Sequence, residues 1–379
     1  MNIRRRAAAF LQKRGWLNIR TIGTVLVIKA VFFIFAWQCC EIIAHSRVTG
    51  FDDFLNRLSR WDAESYLYIA ENGYEAEGPK RFLLVFLPLY PLLTAGFAAV
   101  FRNYLLSAFF VSTVASLFAA LFFRLLVCLD HPEKTAQAAV LFLFIFPTSL
   151  FLHIPYTESL FLALVIGCFW AARTEQWLMA GVLGFFACTA RVNGIVLIPA
   201  LAFEALEQYK ARRKLDARWS WLMLAPAGFG VYLWLNYYLS GSAFKFLDYQ
   251  RENWHKYMRF PYEGIREKVH TYLEQGAEAG NMYGLQELLY IAIGLIFIVF
   301  GWKYMRNSYR VWMVLNWLLF ISTSFILSVP RYSLTLFPMF ILMALASRRN
   351  RVLGIGFMVW SVMFLALFTA RFVNGTWAF

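Results

Sequence analysis

Apolar runs long enough to cross a bilayer recur along this chain, and a chain so built has little choice of fold class. A run of about 20 apolar residues is the length a helix needs to span the hydrocarbon core. The clearest runs are Ile22 to Ile43 and Tyr104 to Leu129. Further ones lie at 82–101, 136–153, 160–172, 177–203, 219–239, 288–302, 311–329 and 334–346, with a last one ending before Arg371. With 60% hydrophobic and 15% charged residues, the composition fits no soluble globular class. The expected fold is an all-α polytopic membrane protein, one integral domain over 1–379.

The basic residues mark its edges. Arg4, Arg5, Arg6, Lys13, Arg14 and Arg20 precede the first run, so 1–21 is expected in the cytoplasm, followed by a retained span without a cleavage site. By the same rule Lys210 to Lys214 with Arg218, then Lys303, Arg306 and Arg310, and then Arg348, Arg349 and Arg351 mark cytoplasmic edges. The polar stretches 44–103 and 240–287 are then the two large outer loops. Segment 177–203 reads either as one long span with Arg191 at mid-depth or as a hairpin with Arg191 and Asn193 at its tip. An arginine at the bilayer centre costs at least about 2.5 kcal/mol, which favours the hairpin. That choice makes 82–101, bent by Pro88 and Pro91, an interfacial or re-entrant helix, and gives about eleven spans. The +14 net charge is explained by these loops, so no nucleic-acid partner is expected. The five cysteines lie in apolar segments without metal-ligand spacing and read as core residues.

Within the first outer loop, Phe51, Leu55, Leu58, Tyr66 and Ile69 share one face of a single expected amphipathic helix, and Asp62 shares it too. A carboxylate in an apolar stripe at a membrane surface is costly unless it is paired or used. Asp62, beside Trp61, is therefore the leading candidate for a general base; its plainer reading is an N-cap or surface acid. Glu64 points elsewhere, and two acids at that spacing diverge by about 200° on a helix, so no required metal is expected. Glu158, in Pro155-Tyr156-Thr157-Glu158-Ser159, reads either as a helix-dipole acid behind an N-cap at Thr157 or Ser159, or as an acid that binds sugar hydroxyls or supports Asp62. Lys80, Arg81, Arg191 and Arg331 are cations near the outer face. They read as snorkelling side chains or, converging, as an anion site. Trp254 and His255 in the second outer loop could stack on a sugar or sit as interface aromatics. No nucleotide-binding glycine loop, Walker loop, HExxH or tandem repeat is present.

A set of short motifs in fixed order then carries a resemblance. These are Arg-Trp-Asp-Ala (60–63), Tyr-Leu-x-Ile-Ala (66–70), Gly-Tyr (73–74), Phe-Leu-Pro-Leu-Tyr-Pro-Leu-Leu (86–93) and Phe-Pro-Thr-Ser-Leu-Phe (146–151). They continue with Pro-Tyr-Thr-Glu-Ser-Leu-Phe (155–161), Ala-Arg-x-Asn-Gly (190–194), Pro-Arg-Tyr (330–332) and Phe-Val-Asn-Gly (372–375). Together they resemble the PIG-V-type mannosyltransferases, GPI mannosyltransferase 2-like members of the GT-C class of membrane glycosyltransferases, in a compact bacterial-type form. Val192 stands where that pattern leads one to expect proline.

The resemblance implies a GT-C fold with a catalytic acid in the first outer loop, here Asp62. It also implies inverting transfer of a hexose, mannose in the family, from a polyprenyl-phosphate sugar to a glycan, glycolipid or protein acceptor at the outer face of the cell membrane. No cofactor beyond that lipid-linked donor is expected. A lipid phosphate leaves as an anion, so cations are needed on one side and one base on the other. The candidate catalytic pair is Asp62 and Glu158. The candidate substrate-binding set is Trp61, Glu64, Tyr66, Lys80, Arg81, Tyr156, Arg191, Asn193, Arg331 and Tyr332. The alternative is a transporter or flippase of lipid-linked sugars, which would place its charges at the midplane of repeated halves.

Overall fold

The computed structural model describes residues 17–43 and 47–379. The basic cluster Arg4, Arg5, Arg6, Lys13 and Arg14, and the start of the expected outer loop at 44–46, lie outside the described residues. Helices follow one another, with one isolated antiparallel bridge between Met258 and Thr323 among the described residues.

α1 (Ile19–Ile42) begins at Asn18, whose side chain accepts from the Thr21 amide. α2 (Phe51–Arg57), α3 (Asp62–Asn72) and α4 (Leu89–Phe101) follow. Next come α5 (Tyr104–Val127), α6 (Glu133–Ile145), α7 (Glu158–Arg173), α8 (Trp177–Ala190), α9 (Leu197–Arg212) and α10 (Leu224–Ser240). α11 (Lys245–Trp254) and α12 (Pro261–Glu274) lie in the second polar stretch. α13 (Ala277–Tyr304), α14 (Asn307–Ile321), the one-turn α15 (Val329–Tyr332), α16 (Pro338–Arg349) and α17 (Arg351–Val373) complete the chain.

By length and composition α1, α5, α13 and α17 can cross a membrane, and the segments 329–335 and 338–349, bent by 81°, pass as a fifth if taken as one span. The other expected crossings are shorter: α7, α8 and α9 have 16, 14 and 16 residues, about 21–24 Å each. Helices can stop short here because the irregular backbone between them is enclosed by protein. Residues 146–157 are buried throughout. Lys29 Nζ and Ser116 Oγ both donate to the Leu152 carbonyl, at 3.2 and 2.6 Å.

Two local expectations change. The single helix expected from Phe51 to Ile69 is two helices, broken at 58–61 where Trp61 adopts φ 53°. Phe51 is 62% exposed and off the buried face, whereas Leu55, Leu58, Tyr66 and Ile69 are buried. The break is imposed from far along the chain. The Trp61 ring meets Phe372 edge-on at 4.8 Å and Trp377 at 5.6 Å, and Arg60 donates to the Val373 carbonyl. Segment 82–101, by contrast, is a 3-10 turn followed by the 13-residue α4. Tyr90 donates to Ala108 O at 3.0 Å and Phe101 stacks edge-on against Phe110 at 5.1 Å, so both ends of α4 meet one short stretch of α5. At 13 residues α4 is about 20 Å long.

α8 and α9 fold back as a hairpin. Gln208 accepts from Trp177 Nε1 at 3.2 Å and donates to Ala172 O at 2.9 Å, and Arg212 pairs with Glu175. Arg191 is thereby at one end of the bundle and the Lys210–Lys214 cluster at the other. That second end also holds the Arg173–Asp130 and Arg306–Glu204 ion pairs.

α8 packs on α10 through glycines. A Cβ on Gly228 would lie 2.1 Å from the Phe185 carbonyl oxygen, a distance only backbone movement relieves. Gly228→Val is expected to cost about 1–3 kcal/mol by overpacking. A lowered unfolding temperature of the detergent-solubilised variant checks this, against an unchanged or raised value for exposed Gly230→Ala, whose Cβ meets nothing within 4 Å and which favours the helix.

Candidate active site

The break at Trp61 restarts the helix so that Asp62 is its first residue. Its carboxylate then sits at the end where unpaired N–H groups leave partial positive charge. A positive φ at a bulky residue costs about 1–3 kcal/mol, offset here by the indole wedged between Phe372 and Trp377. The Asp62 side chain keeps 28% exposure.

Arg331, in α15, reaches it: Nη1 donates to Asp62 Oδ2 at 2.8 Å. The Nε of the same guanidinium lies 3.3 Å from Glu158 Oε1, an ionic contact outside hydrogen-bond geometry. Its plane is enclosed by the rings of Phe151, Tyr156 and Tyr332, with centroids 5.3, 5.4 and 5.3 Å away. Arg191, at the tip between α8 and α9, donates through Nη1 to Glu158 Oε1 at 2.6 Å and to Thr157 Oγ1 at 2.8 Å. Asp62, Arg331, Glu158 and Arg191 thus alternate in charge along one connected chain of contacts. Burial of this kind is tolerable only because each charge has an opposite neighbour.

A third cation joins them. Lys256 Nζ lies 5.3 Å from the Tyr332 ring centre, which also has Arg331 at 5.3 Å and Arg191 at 5.5 Å. Among the described residues Lys256 forms no carboxylate ion pair. Three cations against two carboxylates leave one positive charge over. That is the balance wanted by a phosphodiester, which carries a single negative charge.

The other expected site residues divide. Tyr156 and Tyr66 are buried beside the cluster: Tyr156 OH donates to Arg60 O at 3.0 Å, and Tyr66 OH lies 3.5 Å from Thr157 Oγ1. The Thr157 hydroxyl accepts from Arg191 and caps no helix. Asn193 is buried and donates to Asn316 Oδ1 at 2.9 Å, locking α14 to the 191–196 turn. Trp61 serves as the anchor described above. Glu64 is exposed and turned away. Lys80 and Arg81 are not brought in. Lys80 Nζ sits 5.0 Å over the Tyr68 ring, and Arg81 donates to Gly78 O while covering Phe82. Nearby aromatic faces satisfy these two cations, so their position near the outer loop implied no shared site. Glu158 is fully covered, its Oε1 shared by the two guanidiniums and its Oε2 without a hydrogen-bond partner among the described residues. Lys256 is hard to single out by sequence because its segment mixes both signs of charge; its neighbours Trp254 and His255 are the only signal.

A sequence model of the Mannosyltransferase (PIG-V) family matches residues 33–242, more than half of the chain. The chain is 31% identical over 156 residues to the GPI alpha-1,6-mannosyltransferase 2 of Mus musculus, covering 38% of this chain and 31% of that one. It is 30% identical over 216 residues to the enzyme of that name from Homo sapiens, covering 51% and 43%. The matched stretches thus span less than half the length of these curated relatives. In fold, the chain is similar to the crystal structure of ArnT from Cupriavidus metallidurans bound to undecaprenyl phosphate. The TM-score is 0.53 and the identity 14%, over 93% of this chain and 70% of that one. With its helical architecture, its motifs and the matched stretch all in agreement, the chain belongs to the Mannosyltransferase (PIG-V) family and has the GT-C fold.

Proposed function

We propose that this protein transfers a hexose, mannose on the strength of its family, from a polyprenyl-phosphate donor to a hydroxyl of a lipid- or polymer-linked acceptor, with inversion. Asp62 acts as general base. The observation that carries the reading is the half-open Asp62 carboxylate facing Arg331, with Arg191 and Lys256 gathered round the same tyrosine ring.

The reaction forms a bond between the acceptor oxygen and the anomeric carbon and breaks the bond from that carbon to the phosphate oxygen. The acceptor proton goes to Asp62, and the departing lipid phosphate gains a negative charge. No general acid is needed for such a leaving group, but cations that meet the growing charge are. Arg331, Arg191 and Lys256 supply them. Glu158 holds the two guanidiniums in register and, being covered, acts as a positioning residue. The ArnT structure, bound to undecaprenyl phosphate, supports a polyprenyl donor.

Purified protein in detergent, given extracted membrane lipids with radiolabelled polyprenyl-phosphate mannose and, in parallel, the glucose analogue, tests this directly. Labelled lipid or polymer product is expected with mannose. A transporter yields none, because detergent leaves no compartments to move between. Asp62→Asn is expected to lower the rate by roughly 10²–10⁴-fold with its unfolding temperature unchanged; transfer near the wild-type rate refutes the assignment. Lys256→Ala is expected to raise the donor KM by roughly tenfold or more, as loss of a charge-assisted contact does. Lys80→Ala should leave it within about twofold. Finally, a membrane-impermeant thiol reagent added outside intact cells is expected to label Glu77→Cys and not Lys214→Cys. The reverse pattern overturns an outward-facing site.

A further inference from the structure

One buried carboxylate has no part in the steps above. Glu287 lies on α13, at the edge of an apolar run, and is fully covered. Its Oε1 accepts from the Ser328 amide at 2.7 Å and its Oε2 from the Val329 amide at 2.8 Å. Those two amides open α15, the one turn of helix that carries Arg331. A helix so short has almost no means of holding itself, since the first turn is the unfavourable part of helix formation. Ser328 moreover sits at φ 68°, off the path of a helix continuing from before it.

The rest of this loop is held from the other side. Arg259 donates its amide to Ser322 O at 3.1 Å, Ser324 donates its amide to Tyr257 O at 2.8 Å, and the Met258–Thr323 bridge lies between. Lys268, buried on α12, places its ammonium 4.2 Å from the Phe325 ring centre. The 255–268 stretch thus clamps 322–325, while Glu287 fixes 328–329. Only two residues then separate the fixed Val329 amide from the Arg331 side chain. A carboxylate in an apolar helix is expensive to bury, and both of its oxygens are spent on this one turn.

Resting on the proposed function, we infer that Glu287 is a positioning residue for sugar transfer: by gripping the Ser328 and Val329 amides, it sets the Arg331 guanidinium against Asp62 and the donor phosphate. The simpler possibility, that Glu287 only ties α13 to the bundle, predicts a different pattern of coupling. In the Glu287→Gln variant one oxygen would remain an acceptor while the other position becomes an NH₂ facing an N–H, so the turn loses one of its two holds without losing volume.

The test is a double-mutant cycle on the full chain in detergent. It uses Glu287→Gln, Arg331→Gln and the double variant, with transfer from polyprenyl-phosphate mannose and thermal unfolding as readouts. Glu287→Gln is expected to slow transfer by about tenfold to a hundredfold, the effect of a displacement near 1 Å at a reacting group. In the double variant transfer should match Arg331→Gln alone within about twofold, because a positioning residue has nothing left to position. Multiplication of the two losses overturns the inference, as does a wild-type rate for Glu287→Gln. Wild-type transfer by Arg331→Gln would instead bring down the site itself, a failure distinct from that of Glu287. Should Glu287→Gln not yield folded protein, Glu287→Asp, which keeps the charge but withdraws it by one methylene, enters the same cycle with the same criteria.

Discussion

A single guanidinium shared between two carboxylates is the contact on which the rest of this architecture turns. Arg331 can stand among Phe151, Tyr156 and Tyr332 only because Asp62 and Glu158 compensate its charge. Glu158 can be covered only because Arg191 also meets its Oε1. Removing Glu158 leaves Arg191 without its carboxylate partner, a loss of about 3–5 kcal/mol for buried pairs of this kind. Since the four residues come from α3, α7, the α8–α9 tip and α15, their mutual demand fixes how four separate segments meet.

That demand also explains the irregular backbone at this end. α7 starts at Glu158 after a buried stretch with a single short 3-10 turn (Ser149–Leu152), the α8–α9 hairpin turns at Arg191, and the chain between α14 and α16 makes a one-turn detour to present Arg331. Unbroken spans would carry these side chains past one another. Breaks are tolerated because neighbouring side chains satisfy the freed carbonyls, as Ser116 and Lys29 do for Leu152. The opposite end has its own ion pairs, Arg173–Asp130 and Arg306–Glu204, but there Arg173 faces the buried Tyr309 ring, whereas three cations gather round Tyr332.

Much of this was legible from residue type and spacing. Apolar run length gives the helical class, and the cost of Arg191 at mid-depth selects the hairpin over one long span. Asp62, Glu158, Arg191 and Arg331 each stand out as charges where charge is expensive. What stayed hidden was set by partners far away in the chain. The apolar period runs unbroken through Leu58 and Tyr66, so nothing local announces that Phe372 and Trp377 stop the helix at Trp61. Lys80 and Arg81 look like members of the site until Tyr68 and Phe82 are seen to hold them. Lys256 and Glu287 look like ordinary loop charges until Tyr332 and the 328–329 amides appear beside them.

The structure of the protein in complex with a polyprenyl phosphate tests the account most directly. The phosphate is expected within hydrogen-bond reach of Arg191, Arg331 or Lys256, on the side of Tyr332 open to Asp62. A phosphate bound instead beside Lys80 and Arg81, or at the opposite end among Arg212, Arg306 and Arg348, would contradict it.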